Sequence, residues 1–170
     1  MTFLRRTLLA ATAALGLGTA AQAQSIAEIA AADGRFDTLV AAVTAAGLAD
    51  TLSGPGNFTV FAPTDDAFAA LPPGVVDTLL QPENLQTLTN VLLYHVDDGA
   101  IPSTAIPQGT TRLVPLYNFP LCVTNAGGSI TLGDGSGSAA TVVVADVAAT
   151  NGVIHAIDKV LVPTGHNRCH

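Results

Sequence analysis

The spacing of apolar residues changes about halfway along this chain, and that change limits the possible folds more than any other feature of the sequence. Up to residue 93 the pattern is mainly helical. Ser25 followed by Glu28 has capping-box spacing, in which each side chain satisfies a free backbone N–H at a helix start. Phe36, Leu39, Val40 and Val43 then form one stripe at i, i+3, i+4 and i+7, with Gly47 as the stop. A further helical stretch, 83–93, carries Leu85, Leu88, Val91 and Leu92 on one side. One strand is set among these helices: Phe58-Thr59-Val60-Phe61 is β-branched and aromatic, after the break at Gly54-Pro55-Gly56 and before Pro63. From Tyr94 onward strands and turns take over. Leu121 to Thr124 and Ser129 to Leu132 flank Asn125-Ala126-Gly127-Gly128 as a hairpin, Gly133 to Ser138 is a flexible loop, and Asn151-Gly152 marks a turn before Val153 to Ile157. Helices early and strands late predict an α+β domain rather than alternating βαβ units.

The mean hydropathy of +0.47 would suit a membrane protein, and the N-terminus accounts for much of it. Arg5 and Arg6 precede an apolar stretch over 8–17, and Ala21-Gln22-Ala23 is an A-x-A cleavage signal. Residues 1–23 are therefore expected to be a secretory signal peptide cleaved after Ala23, leaving a domain over 24–163 and a short tail over 164–170. Removing that segment takes away two Arg and no acids, so the mature chain carries 4 basic against 13 acidic groups, a formal charge of −9. So few cations argue against nucleic acid, whose phosphates need a clustered Lys/Arg surface. A second uncharged run, 113–133, contains Pro115, Pro120 and a Gly pair and breaks too often to span a bilayer. The mature protein is expected to be periplasmic or secreted, with no membrane span. Export also permits a disulfide, and Cys122 and Cys169 allow one pairing, so a bridge between them is expected; the alternative is a small buried thiol and a frayed tail residue.

Three segments carry a family resemblance. Thr59-Val60-Phe61-Ala62-Pro63-Thr64-Asp65-Asp66-Ala67-Phe68 resembles the first signature of the fasciclin (FAS1) domain, and Asn151-Gly152-Val153-Ile154-His155-Ala156-Ile157-Asp158-Lys159-Val160-Leu161 the second. Leu92-Leu93-Tyr94-His95-Val96 resembles the family's tyrosine–histidine motif between them. The resemblance implies an α+β wedge, a small twisted sheet packed with several short helices. It implies extracellular adhesion or attachment to a matrix rather than catalysis, with no cofactor. It also implies a partner-binding role for Tyr94 and His95, the motif that animal adhesion members use for receptor contact. In some animal members an Asp-Ile pair before Ala-Thr-Asn-Gly has a similar role; Asp146-Val147 occupies those positions here, while Val144 and Ala145 depart from the preceding Glu-Pro.

The residues themselves offer plainer readings beside these. Tyr94 can be a core residue with a polar tip, and His95 a histidine bonded to backbone. Asp146 can end a strand and Val147 return to the core. His155 alternates with apolar neighbours, as a satisfied core or edge histidine does. Asp65-Asp66 follows Thr64 at a helix start, where acids favour the free N–H groups; adjacent carboxylates there do not face each other as an acid/base pair. Nothing resembles a G-x-S-x-G elbow, a phosphate loop or an EF-hand, and the His-containing tail presents too few fixed ligands for zinc. No metal is expected. Two functions remain: a non-catalytic module binding a cell-surface or matrix protein or polysaccharide, or a soluble extracytoplasmic carrier of a small apolar ligand held between sheet and helices.

Overall fold

A computed structural model describes residues 23–163 and Cys169. The proposed signal peptide apart from Ala23, and the tail apart from Cys169, lie outside the described residues. The chain forms α1 (Ile26–Ala32), α2 (Asp37–Ala45), α3 (Ala49–Ser53), β1 (Phe58–Pro63), α4 (Asp65–Ala69), α5 (Val75–Leu79), α6 (Leu85–Tyr94), β2 (Val96–Asp98), β3 (Gly109–Leu113), β4 (Leu121–Ala126), β5 (Ser129–Gly133), β6 (Ala139–Ala149) and β7 (Gly152–Ile157), with single 3₁₀ turns at Pro82–Asn84 and Ser103–Ala105. The expected α+β class holds. No helix among the described residues is long and apolar enough to cross a membrane.

The local signals act as their chemistry requires. Ser25 and Glu28 form the reciprocal capping box of α1. Gly47, at φ 69°, lets the chain leave α2, and the Leu48 N–H reaches back to the Val43 carbonyl. Thr64 caps α4, but Asp65 does more than favour its own helix: its carboxylate accepts the Asp37 and Thr38 N–H groups and so caps α2 across the chain. Burial opposes the charge, yet these bonds hold the Asp65 carboxyl below its ordinary range. The hairpin turn is tighter than the four residues that marked it, because Gly127 and Gly128 both adopt positive φ and close a two-residue loop.

The seven strands form one sheet in the order β2-β1-β7-β6-β5-β4-β3, parallel between β1 and β7 and antiparallel elsewhere. β1 and β7 are covered on both faces, which is why their sequences are almost continuously apolar. Val60, Ala62, Ile154 and Ala156 face the helices and pack with Ile26, Phe36, Leu39, Leu88 and Leu92. Phe61 and Ile157 face the other way, into a second core with Tyr94, Leu121, Val123, Leu132 and Leu161. β6 joins the two halves. Its register against β7 slips twice, between Val142 and Val144 and between Val144 and Val147, so the 11-residue strand bends through two bulges. Cys122 and Cys169 are disulfide-bonded, which fastens the tail to β4.

Candidate functional site

Tyr94 and His95 end α6 and point inward. Both are almost fully buried, and the Tyr94 hydroxyl donates to the Pro120 carbonyl at 2.9 Å. The Leu161 N–H donates to His95 Nε2 at 2.9 Å, so Nε2 carries the lone pair and Nδ1–H donates to the Val91 carbonyl at 2.7 Å. Burial pushes the His95 pKa down to about 4, against bonding to Val91 and the charge of Asp134, and the ring stays neutral at physiological pH. The pair thus ties α6 to the loop before β4 and to the strand end after β7. Both side chains lie inside the fold with their polar atoms bonded there, as the plainer reading of each residue has it.

Asp146 is placed differently. It occupies the second β6 bulge, exposed, at φ 59°. A non-glycine residue holds this conformation when its surroundings fix it, and here three groups do so. The Asp146 carboxylate accepts the Ser103 N–H at 2.6 Å and the Ser103 hydroxyl, while its own N–H donates to His155 Nδ1 at 3.3 Å. These bonds from Ser103 hold the Asp146 carboxyl below its ordinary range. His155 is fully buried, stacks on Phe61 with ring centres 5.7 Å apart, and bonds the Ile101 carbonyl through Nε2 at 2.9 Å. Thr59 completes the frame, donating to the Gly99 carbonyl at 2.5 Å and accepting the Ile101 N–H at 2.8 Å. The parallel pair β1 and β7 therefore holds the segment 99–103 through Thr59 and His155, and Asp146 meets Ser103 at the surface. Val147 is half-buried against the helical core, as a return to the core requires.

Tyr94-His95 and Asp146-Val147 are therefore not one contiguous patch: the first pair is internal framework and Asp146 is the exposed member. Ser103 was not foreseen, because nothing local marks a serine 43 residues before its partner. Asp134 was read as part of a flexible loop. It is instead fully buried, and its carboxylate accepts the Ser136 N–H and hydroxyl, the Val162 N–H at 3.0 Å and Lys159 Nζ at 3.2 Å. Burial alone would raise its pKa, but these donors hold it low. An Asp two residues before a Ser in a Gly-rich run is an Asx-turn signal that could have found it.

Two further features bear on function. A cleft between α1–α3, the end of α6 and the loop after β3 is lined by Ile26, Ala30, Val40, Leu48, Leu93 and Leu116, is almost entirely apolar, and opens to solvent. Asp97, on β2, is buried, and its Oδ2 is the one buried side-chain oxygen or nitrogen among the described residues with no partner. Burial and the neighbouring Asp98 raise its pKa to about 6.

Asp97 and His95 pull stability in opposite directions. The unfolded chain protonates His95 near pH 6.5 and the folded one near 4, so the unfolded state binds more protons between those values and stability falls as pH drops through them. Folded Asp97 takes up its proton near pH 6 and unfolded Asp97 near 3.8, so stability rises as pH drops through that window. Between pH 6 and 4.5 the two offset each other. Asp97→Asn is expected to stabilise by about 1–2 kcal/mol at pH 7 and to lose that gain on acidification. Thermal melts of both proteins from pH 7 to 4.5 check this: the variant's Tm should fall steeply where the parent's stays nearly level.

An α+β wedge with a curled sheet, a first strand parallel to the last and a buried tyrosine–histidine pair defines a FAS1-type module. A family model for the fasciclin domain matches residues 34–163. The chain belongs to the fasciclin family. It is 47% identical to Protein sll1483 of Synechocystis sp. over 141 residues, covering 83% of this chain and 74% of that protein. It is 43% identical to pig transforming growth factor-beta-induced protein ig-h3 over 131 residues, which covers 77% of this chain but only 18% of that larger protein. The fold is similar to the FAS1 domain pair of the insect cell adhesion molecule fasciclin I, with a TM-score of 0.72 at 18% identity, covering 82% of this chain and 51% of that one.

Proposed function

We propose that this chain is a non-catalytic binding module that attaches a cell or its surface to a matrix or cell-surface protein or polysaccharide, acting outside the cytoplasm after removal of residues 1–23. The observation that carries this reading is the exposed, left-handed Asp146, held at a bulge by Ser103 and His155. A surface residue kept in a costly backbone conformation by a buried frame is what a preorganised contact requires. Tyr94 and His95 serve the same function from inside, by fixing α6 and the strand ends on which that frame rests. Membership of the fasciclin family and a fold similar to that of an insect cell adhesion molecule support the same reading. A surface-attachment assay on a strain deleted for this protein tests it. Attachment should fall markedly on deletion and return on complementation; unchanged attachment rejects the reading.

The apolar cleft favours a second reading, a carrier of a small apolar molecule. Its nearly uniform aliphatic lining, next to a single buried and fully bonded histidine, offers shape without directional polar contacts. Organic extraction of the protein purified from its native host, followed by mass spectrometry, separates the two. A stoichiometric apolar compound supports the carrier, and an empty extract rejects it.

A further inference from the structure

The two edges of the sheet are built differently. β2 is three residues long and carries Asp97 and Asp98, the short, charged form by which proteins protect an edge from unwanted pairing. β3, at the other edge, has five residues, Gly109-Thr110-Thr111-Arg112-Leu113, all exposed or half-buried, in unbroken register with β4 from Gly109↔Asn125 to Leu113↔Leu121. It contains no proline, no acid and no bulge. Beyond its bonds to β4, its backbone N–H and C=O groups have no protein partner among the described residues.

Its surroundings indicate what could pair with it. Three basic side chains lie among the described residues: Arg35 bonds Asp33, Lys159 bonds Asp134, and Arg112, on the open edge, has no ion pair. In a chain that is −9 after export, a cation with no ion pair among the described residues is a local reversal of sign at this edge. Immediately beyond β3, Val114, Leu116 and Phe119 are exposed, with Phe119 stacked on Tyr117 at 5.1 Å between ring centres. Open main-chain groups, one cation and an apolar shelf in line suit an extended strand with a carboxylate among apolar residues.

We propose that β3 is a strand-addition edge that binds an extended acidic segment of a partner protein, with Arg112 pairing its carboxylate and Val114 and Phe119 receiving its apolar side chains. This deepens the binding-module reading and rests on it, at a surface separate from Asp146. A second copy fits less well: it brings another −9 and no acid from its own β3 to meet Arg112.

The test uses ¹⁵N-labelled mature protein and a capped nine-residue peptide of alternating threonine and valine with one central glutamate. Amide shifts should concentrate on residues 109–114. Arg112→Glu should weaken the glutamate peptide about five- to tenfold, the range expected from reversing one exposed pair, and a peptide with lysine at the centre should regain binding to the variant. Shifts elsewhere, no shifts, or equal binding by the variant overturn the proposal, as does a dimer in light scattering that Arg112→Glu leaves intact. Those failures leave the attachment assay unaffected, whereas loss of attachment on deletion with no peptide binding rejects the edge and keeps the adhesion reading.

Discussion

Replacing Gly152 by alanine is expected to be the most damaging single methyl that can be added to this protein. Gly152 lies opposite Phe58 where β1 and β7 run parallel, and a Cβ there would sit 1.8 Å from the Phe58 carbonyl oxygen and 2.8 Å from its nitrogen. Backbone of a central strand cannot swing aside as a side-chain tip can, and φ at 154° adds a conformation that L-residues disfavour. The strands must part at the start of the pairing on which Thr59 and His155 depend. The expected loss is at least about 4 kcal/mol, enough to unfold a domain of ordinary stability at growth temperature. Gly34→Ala is the control: a Cβ there meets nothing within 4 Å, and the change should stay within about 0.5 kcal/mol. Urea denaturation of the purified variants, or the soluble yield if Gly152→Ala does not accumulate, reads the difference.

Asn151→Ala should come close behind. The Asn151 side chain is buried and makes three bonds to distant segments: it donates to the Leu52 carbonyl at 2.7 Å and the Gly54 carbonyl at 2.9 Å, and accepts the Ile26 N–H at 2.9 Å. Alanine leaves three backbone groups without partners inside the fold at the point where α1, α3 and β7 meet. At about 1–3 kcal/mol for each buried unsatisfied group, partly relieved by entering water, a loss of about 4 kcal/mol is expected. Asn151→Asp keeps the shape and still accepts from Ile26, but turns both donors into a carboxylate facing two carbonyl oxygens. It should be at least as destabilising at pH 7 and recover part of the loss on acidification, when the protonated acid can donate once. Equal stability of the aspartate variant and the parent at pH 7 would mean that the two carbonyls take nothing essential from Asn151.

These residues show which parts of the design can be read without coordinates. Local features can: the Ser25–Glu28 box, the stripe from Phe36 to Val43 ending at Gly47, the β1 strand and the hairpin at Gly127-Gly128 each depend on residues within a few positions of one another. The three motifs fixed the family because signatures summarise long-range contacts that spacing alone does not reveal. The edge strands escaped notice. β2 is three residues long, and β3 is a polar Thr-Thr-Arg strand whose pairing with β4 is non-local. The site was legible only in part. Asp146 was identified, but its left-handed bulge and its clamp by Ser103 depend on a segment that the chain returns to the sheet 43 residues earlier. Tyr94-His95 was legible as a motif with two readings, surface contact and bonded core, because a tyrosine and a histidine serve equally well in both places, and only the packing around them puts the pair in the core.

The central claim is that a buried frame holds Asp146 at the surface as a contact. Asp146→Gly tests the carboxylate, since glycine keeps φ near 59° at little cost while the change removes the carboxylate together with its two bonds to Ser103. The measurement is surface attachment by the deletion strain complemented with either the parent or the Asp146→Gly protein, at matched export and within about 1 kcal/mol in urea stability. The account predicts that the parent restores attachment and the variant restores little of it. Full restoration by Asp146→Gly would contradict the account.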